Sequence, residues 1–343
     1  MQRARDAGLR YVSDEEPGIR RQRWGRGFTY RDSSGEVVRD EKVRARIDAL
    51  AIPPAWTEVW ICRSPKGHVQ ATGRDAKGRK QYRYHELWTE VSNATKFARM
   101  VPFAEALTPL RRRVRRDVKR EDLDRERVLA ALVRLLDRTL VRVGNDEYAK
   151  ANDSYGLTTL LAEHAEVNGS DVHLEFRGKG GKEHRVDLHD RRVAAIVREC
   201  QEIPGQELFG YVDAEGTVHP VDSGEVNDYL REVMGADFTA KDFRTWAGTV
   251  AAVEALCLCA PCDSEREIKK NVVSAVKQVS ELLRNTPAVC RQFYIHPAVA
   301  AAYEGGKLAA IVEQAAEAER DPVLAELRQP ELRALAVLRA SGL

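Results

Sequence analysis

No stretch of this 343-residue chain stays apolar for the roughly 18 residues that a membrane-spanning helix requires. Residues Met1 to Arg20 are charged and lack the apolar centre of a secretory signal, so a cytoplasmic location is expected. The six cysteines, at 62, 200, 257, 259, 262 and 290, are not spaced as a small disulfide scaffold, and reduced thiols are expected. Three of them crowd together in Cys257-Leu258-Cys259-Ala260-Pro261-Cys262. No nearby pair supplies the remaining ligands of a zinc site, so no metal is expected. The G-x-x-x-x-G-K-[ST] loop that cradles nucleotide phosphates is also missing. Neither internal repeats nor low-complexity linkers interrupt the chain.

Hydrophobic residues make up 43% and charged residues 31%, the balance of a globular chain rather than a disordered one. Its length exceeds the size at which one core usually stops growing, so two domains are expected. The net charge of +2 conceals an asymmetry. Residues 1–99 carry 21 Lys and Arg against 13 Asp and Glu, whereas the remainder carries 34 against 40. A basic N-terminal part points to a polyanion, though charge alone does not separate nucleic acid from a membrane surface or a protein.

The fold class expected is α+β. Residues 1–92 read as a small β-rich domain. Turn signals at Asp32-Ser33-Ser34-Gly35, Pro53-Pro54, Pro65-Lys66-Gly67 and Asp75-Ala76-Lys77-Gly78 separate short strands over Trp24–Arg31, Val59–Arg63 and Val69–Thr72. A helix over about Asp40–Ala49 interrupts them. Residues 93–343 read as mainly helical. Leu123, Val128, Leu129, Leu132, Leu135, Leu136 and Leu140 recur at helical spacing within one helix expected over Arg111–Val143. Ile268, Val272, Ala275, Val276, Val279 and Leu283 do the same over Glu267–Arg284. The basic run Arg111–Arg116 is either a phosphate track or a solvated face. One piece departs from the helical rule. Val172, Leu174 and Phe176 alternate with polar residues, and Gly178-Lys179-Gly180-Gly181 precedes Val186 and Leu188, which predicts a β-hairpin with Lys179 at its tip.

Four residues stand out for chemistry. Arg142 lies at the end of the expected helix, in Val141-Arg142-Val143-Gly144-Asn145; Lys179 tips the hairpin. Arg244 opens another helix in Lys241-Asp242-Phe243-Arg244-Thr245-Trp246, and Tyr294 follows Asn285-Thr286-Pro287. Taken singly, each has an ordinary reading. Arg142 would be a cation at a helix C-terminus, Lys179 a solvated turn, Arg244 an ion pair and Tyr294 a packing residue.

Together and in this order they resemble type IB DNA topoisomerases, especially the small poxvirus-like enzymes of bacteria. Asn152-Asp153-Ser154-Tyr155-Gly156-Leu157-Thr158-Thr159-Leu160 resembles the segment behind the family's first arginine. Phe176-Arg177-Gly178-Lys179 resembles the hairpin with its lysine, and Lys241-Asp242-Phe243-Arg244-Thr245 the segment with its second arginine. Asn285-Thr286-Pro287, with Tyr294 nine residues beyond Asn285, resembles the segment ending in the nucleophile. Gly73-Arg74-Asp75-Ala76-Lys77-Gly78-Arg79-Lys80-Gln81-Tyr82-Arg83-Tyr84 resembles the DNA-contacting stretch.

The resemblance implies a catalytic domain like that of type IB topoisomerases and tyrosine recombinases, and double-stranded DNA as the partner. It implies a monomer that closes as a clamp around the duplex, associated with the nucleoid. Tyr294 would form a 3′-phosphotyrosyl bond, with Arg142 and Arg244 on the non-bridging oxygens. Lys179 would protonate the leaving 5′ oxygen, assisted by Lys241. Because the covalent bond keeps the energy of the broken one, neither ATP nor a metal would be needed. Where poxvirus enzymes carry histidine, this chain carries Asn285, which donates a hydrogen bond but no positive charge. Arg74, Lys77, Arg79 and Lys80 would contact phosphates, and Gln81, Tyr82 and Tyr84 bases or sugars. The Tyr82/Tyr84 alternation also suits a strand with one face packed.

Two rivals share these features. A tyrosine recombinase uses the same Arg, Lys, Arg and Tyr chemistry. However, it usually carries His-x-x-Arg where this chain has Lys241-Asp242-Phe243-Arg244, and its N-terminal domain is typically helical. A DNA-binding protein that has kept the fold without the activity is the other.

Overall fold

The computed structural model describes residues 2–260, 264–315 and 321–342. The chain divides into two compact units, Met1–Ala98 and Arg99–Leu343, compared with the change of character read at 92/93. Among the described residues, no helix is long and apolar enough to cross a membrane.

The first unit is a five-stranded antiparallel sheet in the order β2-β1-β3-β4-β5, with three helices. Its elements are α1 (Gln2–Asp6), β1 (Ile19–Trp24), β2 (Gly27–Arg31), α2 (Glu41–Ala49), β3 (Thr57–Ile61), β4 (Val69–Arg74), β5 (Lys80–Tyr84) and α3 (Glu86–Ala98). The strand expected over Trp24–Arg31 forms over Gly27–Arg31 as β2, and its start is the corner of a hairpin. Trp24 pairs with Gly27, and Gly25 takes a φ of +55°, the left-handed conformation that a two-residue turn needs. The helix expected over Asp40–Ala49 forms, because the Asp40 carboxylate caps the backbone N–H groups of Lys42 and Val43. It buries Ile47 against Ile19, Val59, Ile61 and Ala71 of the sheet.

The second unit is mainly helical. It comprises α4 (Met100–Asp117), α5 (Arg125–Thr139), α6 (Asp146–Asn152), β6 (Ala165–Asn168), β7 (Asp171–Gly178), β8 (Lys182–His189), α7 (Arg191–Glu202), β9 (Gly210–Val212) and β10 (Val218–Pro220). After these come α8 (Ser223–Met234), α9 (Ala240–Cys257), α10 (Glu265–Leu282), α11 (Pro287–Phe293), α12 (Pro297–Glu304), α13 (Leu308–Gln314) and α14 (Gln329–Ala340). All its strand pairs are antiparallel, so both units are α+β in the sense expected. Phe103 on α4, fully buried, meets Phe238 and Phe243 edge-on and lies near Trp246. This aromatic cluster packs α4 against α9.

Where one helix was expected over Arg111–Val143, there are two. Asp124 accepts a hydrogen bond from the Arg127 N–H and starts α5 afresh, and the Leu123 carbonyl is taken by Val212 of β9. At the other end Leu140 enters the left-handed region (φ +58°) and closes α5, so Arg142 lies in the extended chain beyond the helix rather than at its last turn.

The basic run on α4 is not bare positive charge. Arg111 is part-buried between Asp137 and Glu331 at 2.8 and 2.7 Å; Arg113 and Arg116 face Asp117, and Arg115 faces Glu326. Asp137 and Glu331 hold α4 to α5 and α14, a structural use beyond the phosphate track and the solvated face that the run suggested.

Candidate active site

Beyond Leu140 the chain runs straight through Arg142 because a second segment pairs with it. The carbonyls of Arg142 and Val143 accept from the N–H groups of Leu157 and Thr158 at 2.9 and 2.6 Å. Two glycines make that approach possible. A β-carbon on Gly156 would lie 2.6 Å from the Arg142 carbonyl oxygen and from Gly144 Cα. The same segment is tied to the hairpin by Tyr155, whose N–H donates to the Arg177 carbonyl at 2.7 Å.

The hairpin has the register its alternation implies. Val172, Leu174 and Phe176 are buried, and Gly178 pairs with Lys182 to leave Lys179-Gly180-Gly181 as the loop. Gly180 and Gly181 both take positive φ, and Lys179 is exposed at the tip. Under the loop lies His184, stacked on Phe176 with ring centroids 4.9 Å apart. Burial and then the cations Arg284, Arg142, Arg244 and Lys182 push its pKa down to about 4, so the ring is neutral.

Helix α9 begins with a capping box. The Asp242 carboxylate accepts from the N–H and the hydroxyl of Thr239 at 2.8 and 3.0 Å. Lys241 points to solvent in the first turn, and Arg244 is buried one turn on. The Arg244 guanidinium donates to the carbonyls of Leu140 and Leu283, at the C-terminal ends of α5 and α10, and its Cζ lies 5.6 Å from the centre of the Tyr294 ring. Burial, then the neighbouring Arg142, lower its pKa to about 10. Arg142 donates to Asn285 Oδ1 at 3.1 Å. That bond fixes the amide orientation, because arginine can only donate.

Two donors at this centre are left over. Arg244 Nε and Asn285 Nδ2 are buried and make no hydrogen bond. Buried donors without acceptors are costly, about 1–3 kcal/mol each, and two of them beside a pair of guanidiniums are an arrangement that an anion would satisfy. Arg142, Lys179, Lys241, Arg244 and Tyr294 line one cavity of about 310 Å³, together with Ser154, Tyr155 and the glycines. Among the described residues that line it, none is a carboxylate. Asn285 reaches this group through Arg142. All six residues singled out from the sequence as catalytic candidates are thus brought together.

Tyr294 caps the short helix α11, its N–H donating to the Cys290 carbonyl at 2.9 Å. Cys290 is fully buried beneath it. Two residues of α9 form its seat, and neither was singled out from the sequence. Gly248 leaves room for the Tyr294 backbone, and the buried Thr249 hydroxyl accepts from the His296 N–H at 3.1 Å while lying 3.4 Å from the Tyr294 carbonyl. A glycine inside an apolar helix is the one signal that marked this place. Cys257 ends the same helix and Cys259 lies just beyond it; Cys262 lies outside the described residues.

In the first unit, most of the basic side chains expected to contact DNA already have partners. Arg74 pairs with Glu58 at 2.8 Å, Arg79 with Asp75 at 2.6 Å and Lys80 with Asp14 at 2.8 Å, and Gln81 donates to Asp75. The Arg79 side chain, with backbone N–H groups of the turn, brings the Asp75 pKa down to about 2. Lys77 is exposed. Tyr82 and Tyr84 stack on each other 5.7 Å apart on an exposed face, so they do not form the packed face that the alternation also allowed.

Residues 79–321 match the family described as eukaryotic DNA topoisomerase I, catalytic core, and residues 27–75 match the bacterial DNA topoisomerase IB, N-terminal domain. The chain belongs to the type IB DNA topoisomerases. It is 32% identical over 287 residues to the DNA topoisomerase 1B of Acanthamoeba polyphaga mimivirus, covering 81% of this chain and 85% of that protein. To the DNA topoisomerase 1B of Vaccinia virus (strain Copenhagen) it is 21% identical over 264 residues, 76% of this chain and 79% of that one. The DNA topoisomerase 1 of Mycosarcoma maydis is 26% identical over 194 residues, 49% of this chain and 19% of that longer protein. Membership of the type IB topoisomerases makes the chain an enzyme and sets aside the recombinase and non-enzymatic readings. The topoisomerase core match spans Arg142, Lys179, Lys241, Arg244, Asn285 and Tyr294, and its N-terminal domain match is of the bacterial kind.

Proposed function

We propose that this enzyme relaxes supercoiled double-stranded DNA by cutting and rejoining one strand, with Tyr294 as the nucleophile and with neither ATP nor metal. The observation that carries the reading is the pair of orphaned donors, Arg244 Nε and Asn285 Nδ2, beside two guanidiniums and the Tyr294 phenol. A phosphodiester supplies the anion that such a centre lacks.

In the cleavage step the Tyr294 oxygen attacks phosphorus and loses its proton to water, and the bond to the 5′ oxygen breaks. The products are a 3′-phosphotyrosine and a 5′-hydroxyl. Arg142 and Arg244 hold the non-bridging oxygens, and Asn285 donates its free amide N–H to one of them. Lys179, on its exposed hairpin, delivers the proton to the departing oxygen, with Lys241 assisting from the first turn of α9. One phosphoester replaces another of similar energy, so the 5′-hydroxyl reverses the reaction once the strand has turned.

The first unit is proposed as the other half of a clamp that a single chain closes around the duplex. Lys77, Tyr82 and Tyr84 are accessible to DNA. Arg74, Arg79, Lys80 and Gln81 would exchange Glu58, Asp75 and Asp14 for phosphates and bases. An exposed pair such as Arg74–Glu58 is worth only about 0–1 kcal/mol, so that exchange is cheap. A catalytic fold shared with tyrosine recombinases and a place at the nucleoid in the cytoplasm belong to the same proposal. Plasmid relaxation tests it: positive and negative supercoils should both disappear in EDTA without ATP. Relaxation that required a divalent metal or ATP would overturn the mechanism.

A further inference from the structure

Helix α10 ends in a turn that ordinarily carries glycine. The Asn285 N–H returns to the Ser280 carbonyl at 2.9 Å, and the residue between the last helical turn and Asn285 takes a φ of +50°. Glycine suits that left-handed position because it has no β-carbon to clash. Here it is Arg284. A strained arginine in a glycine position calls for a use of its side chain.

The guanidinium reaches the hairpin. β8 is the edge strand of the sheet β6-β7-β8, so alternate carbonyls along its outer side have no strand to pair with. Arg284 donates to two of these, those of Glu183 and Arg185, the latter at 3.1 Å. In return the Lys182 ammonium donates to the Arg284 carbonyl at 3.0 Å. Between the two clamped carbonyls, His184 turns inward onto Phe176 and fills the space beside Gly178, where a β-carbon would come within 2.5 Å of its ring. Gly178 and Lys182 are the pair that closes the loop of Lys179. The clamp therefore acts at the base of the tip that carries Lys179, and its other end is the residue before Asn285.

We infer that Arg284 is a positioning residue that ties the Lys179 hairpin to the Asn285 turn, so that proton donor and phosphate contact are set by one strap. The inference rests on the reading of Lys179 as the acid for the 5′ oxygen. It makes loss of Arg284 resemble loss of Lys179 in one particular respect: the defect should lie in the departure of the leaving group. A 5′-bridging sulfur leaves without protonation and removes that need.

The test is single-turnover cleavage of a duplex, by the full chain, on the ordinary phosphodiester and on the same strand with a 5′-bridging phosphorothiolate. Arg284→Gly relieves the strained turn, so its melting temperature should not fall. Its cleavage of the phosphodiester should fall by roughly 10- to 100-fold, the order expected from a misplaced catalytic group. The sulfur substrate should restore it to within about threefold of wild type, as for Lys179→Ala. Arg284→Lys, which keeps a cationic donor but not the fork that spans two carbonyls, should fall between the two. Rescue of Lys179→Ala but not of Arg284→Gly would overturn the strap and leave the acid in place. Failure to rescue Lys179→Ala would overturn the acid reading and the strap with it. Wild-type cleavage of the phosphodiester by Arg284→Gly would also overturn the strap.

Discussion

Gly248 and Tyr294 meet backbone to backbone. A β-carbon at Gly248 would stand 2.6 Å from the Tyr294 carbonyl oxygen and 3.2 Å from Tyr294 Cβ. Gly248 lies one turn beyond Arg244 on α9, so one rigid helix sets both the guanidinium and the seat of the phenol. Gly248→Ala should therefore displace Tyr294 despite alanine's better helix propensity. We expect strand cleavage to fall by tenfold or more, on the order seen for misplaced reacting groups, while DNA affinity stays within about twofold. Single-turnover cleavage and a filter-binding titration separate the two.

Thr249 should matter for stability as well as for geometry. Its hydroxyl is fully buried, donates to the Thr245 carbonyl at 3.0 Å and accepts from the His296 N–H. Thr249→Val keeps the shape but removes the buried hydroxyl that makes both bonds, which costs about 1–3 kcal/mol. Thr249→Ser keeps the hydroxyl and should cost less. Denaturant midpoints of the two variants check the difference.

Much of this site was legible in the sequence, and the remainder was illegible for physical reasons. Val172, Leu174 and Phe176 announced their hairpin because a two-sided strand repeats every second residue. The break between α4 and α5 was hidden because neither glycine nor proline marks it; Leu123 lies in the loop, five residues before Val128 and out of step with α5, and its carbonyl is held by β9. Gly248, Thr249 and Arg284 carry no local motif; each is explained by a partner far along the chain. The carboxylates that occupy Arg74 and Lys80 are hidden in the same way, Glu58 and Asp14 being brought alongside only by the folded sheet and the segment before it.

The buried charge network is expected to stabilise the second unit. Arg111 lies between Asp137 and Glu331, and Glu331 also accepts from the Trp246 indole at 3.3 Å. Glu331→Ala would leave a buried guanidinium short of a partner and should cost about 3–5 kcal/mol. Glu331→Gln, which still accepts a hydrogen bond, should cost less. Chemical denaturation reads both.

Two buried histidines set an acid limit on stability. Burial, with nearby cations, holds His184 at about 4, and burial alone does the same for His296, against an ordinary value of 6.5. Below 6.5 the unfolded chain takes up protons that the folded chain refuses until about 4, so stability is lost as pH falls through that window. The slope should approach about 1.4 kcal/mol per pH unit for each histidine. His296 Nδ1 also accepts from the Ala298 N–H at 3.1 Å, a bond that requires the neutral ring. His296→Asn keeps a capping acceptor and should flatten the melting temperature between pH 4 and 6.5 relative to wild type.

The identity of the covalent bond tests the central claim most directly. Denaturing the enzyme during reaction with a duplex, digesting it and sequencing the DNA-linked peptide should place a 3′-phosphate on Tyr294, with a free 5′-hydroxyl on the other end of the break. Tyr294→Phe should yield no adduct. An adduct on another residue, linkage through a 5′-phosphate, or wild-type relaxation by Tyr294→Phe would contradict the account.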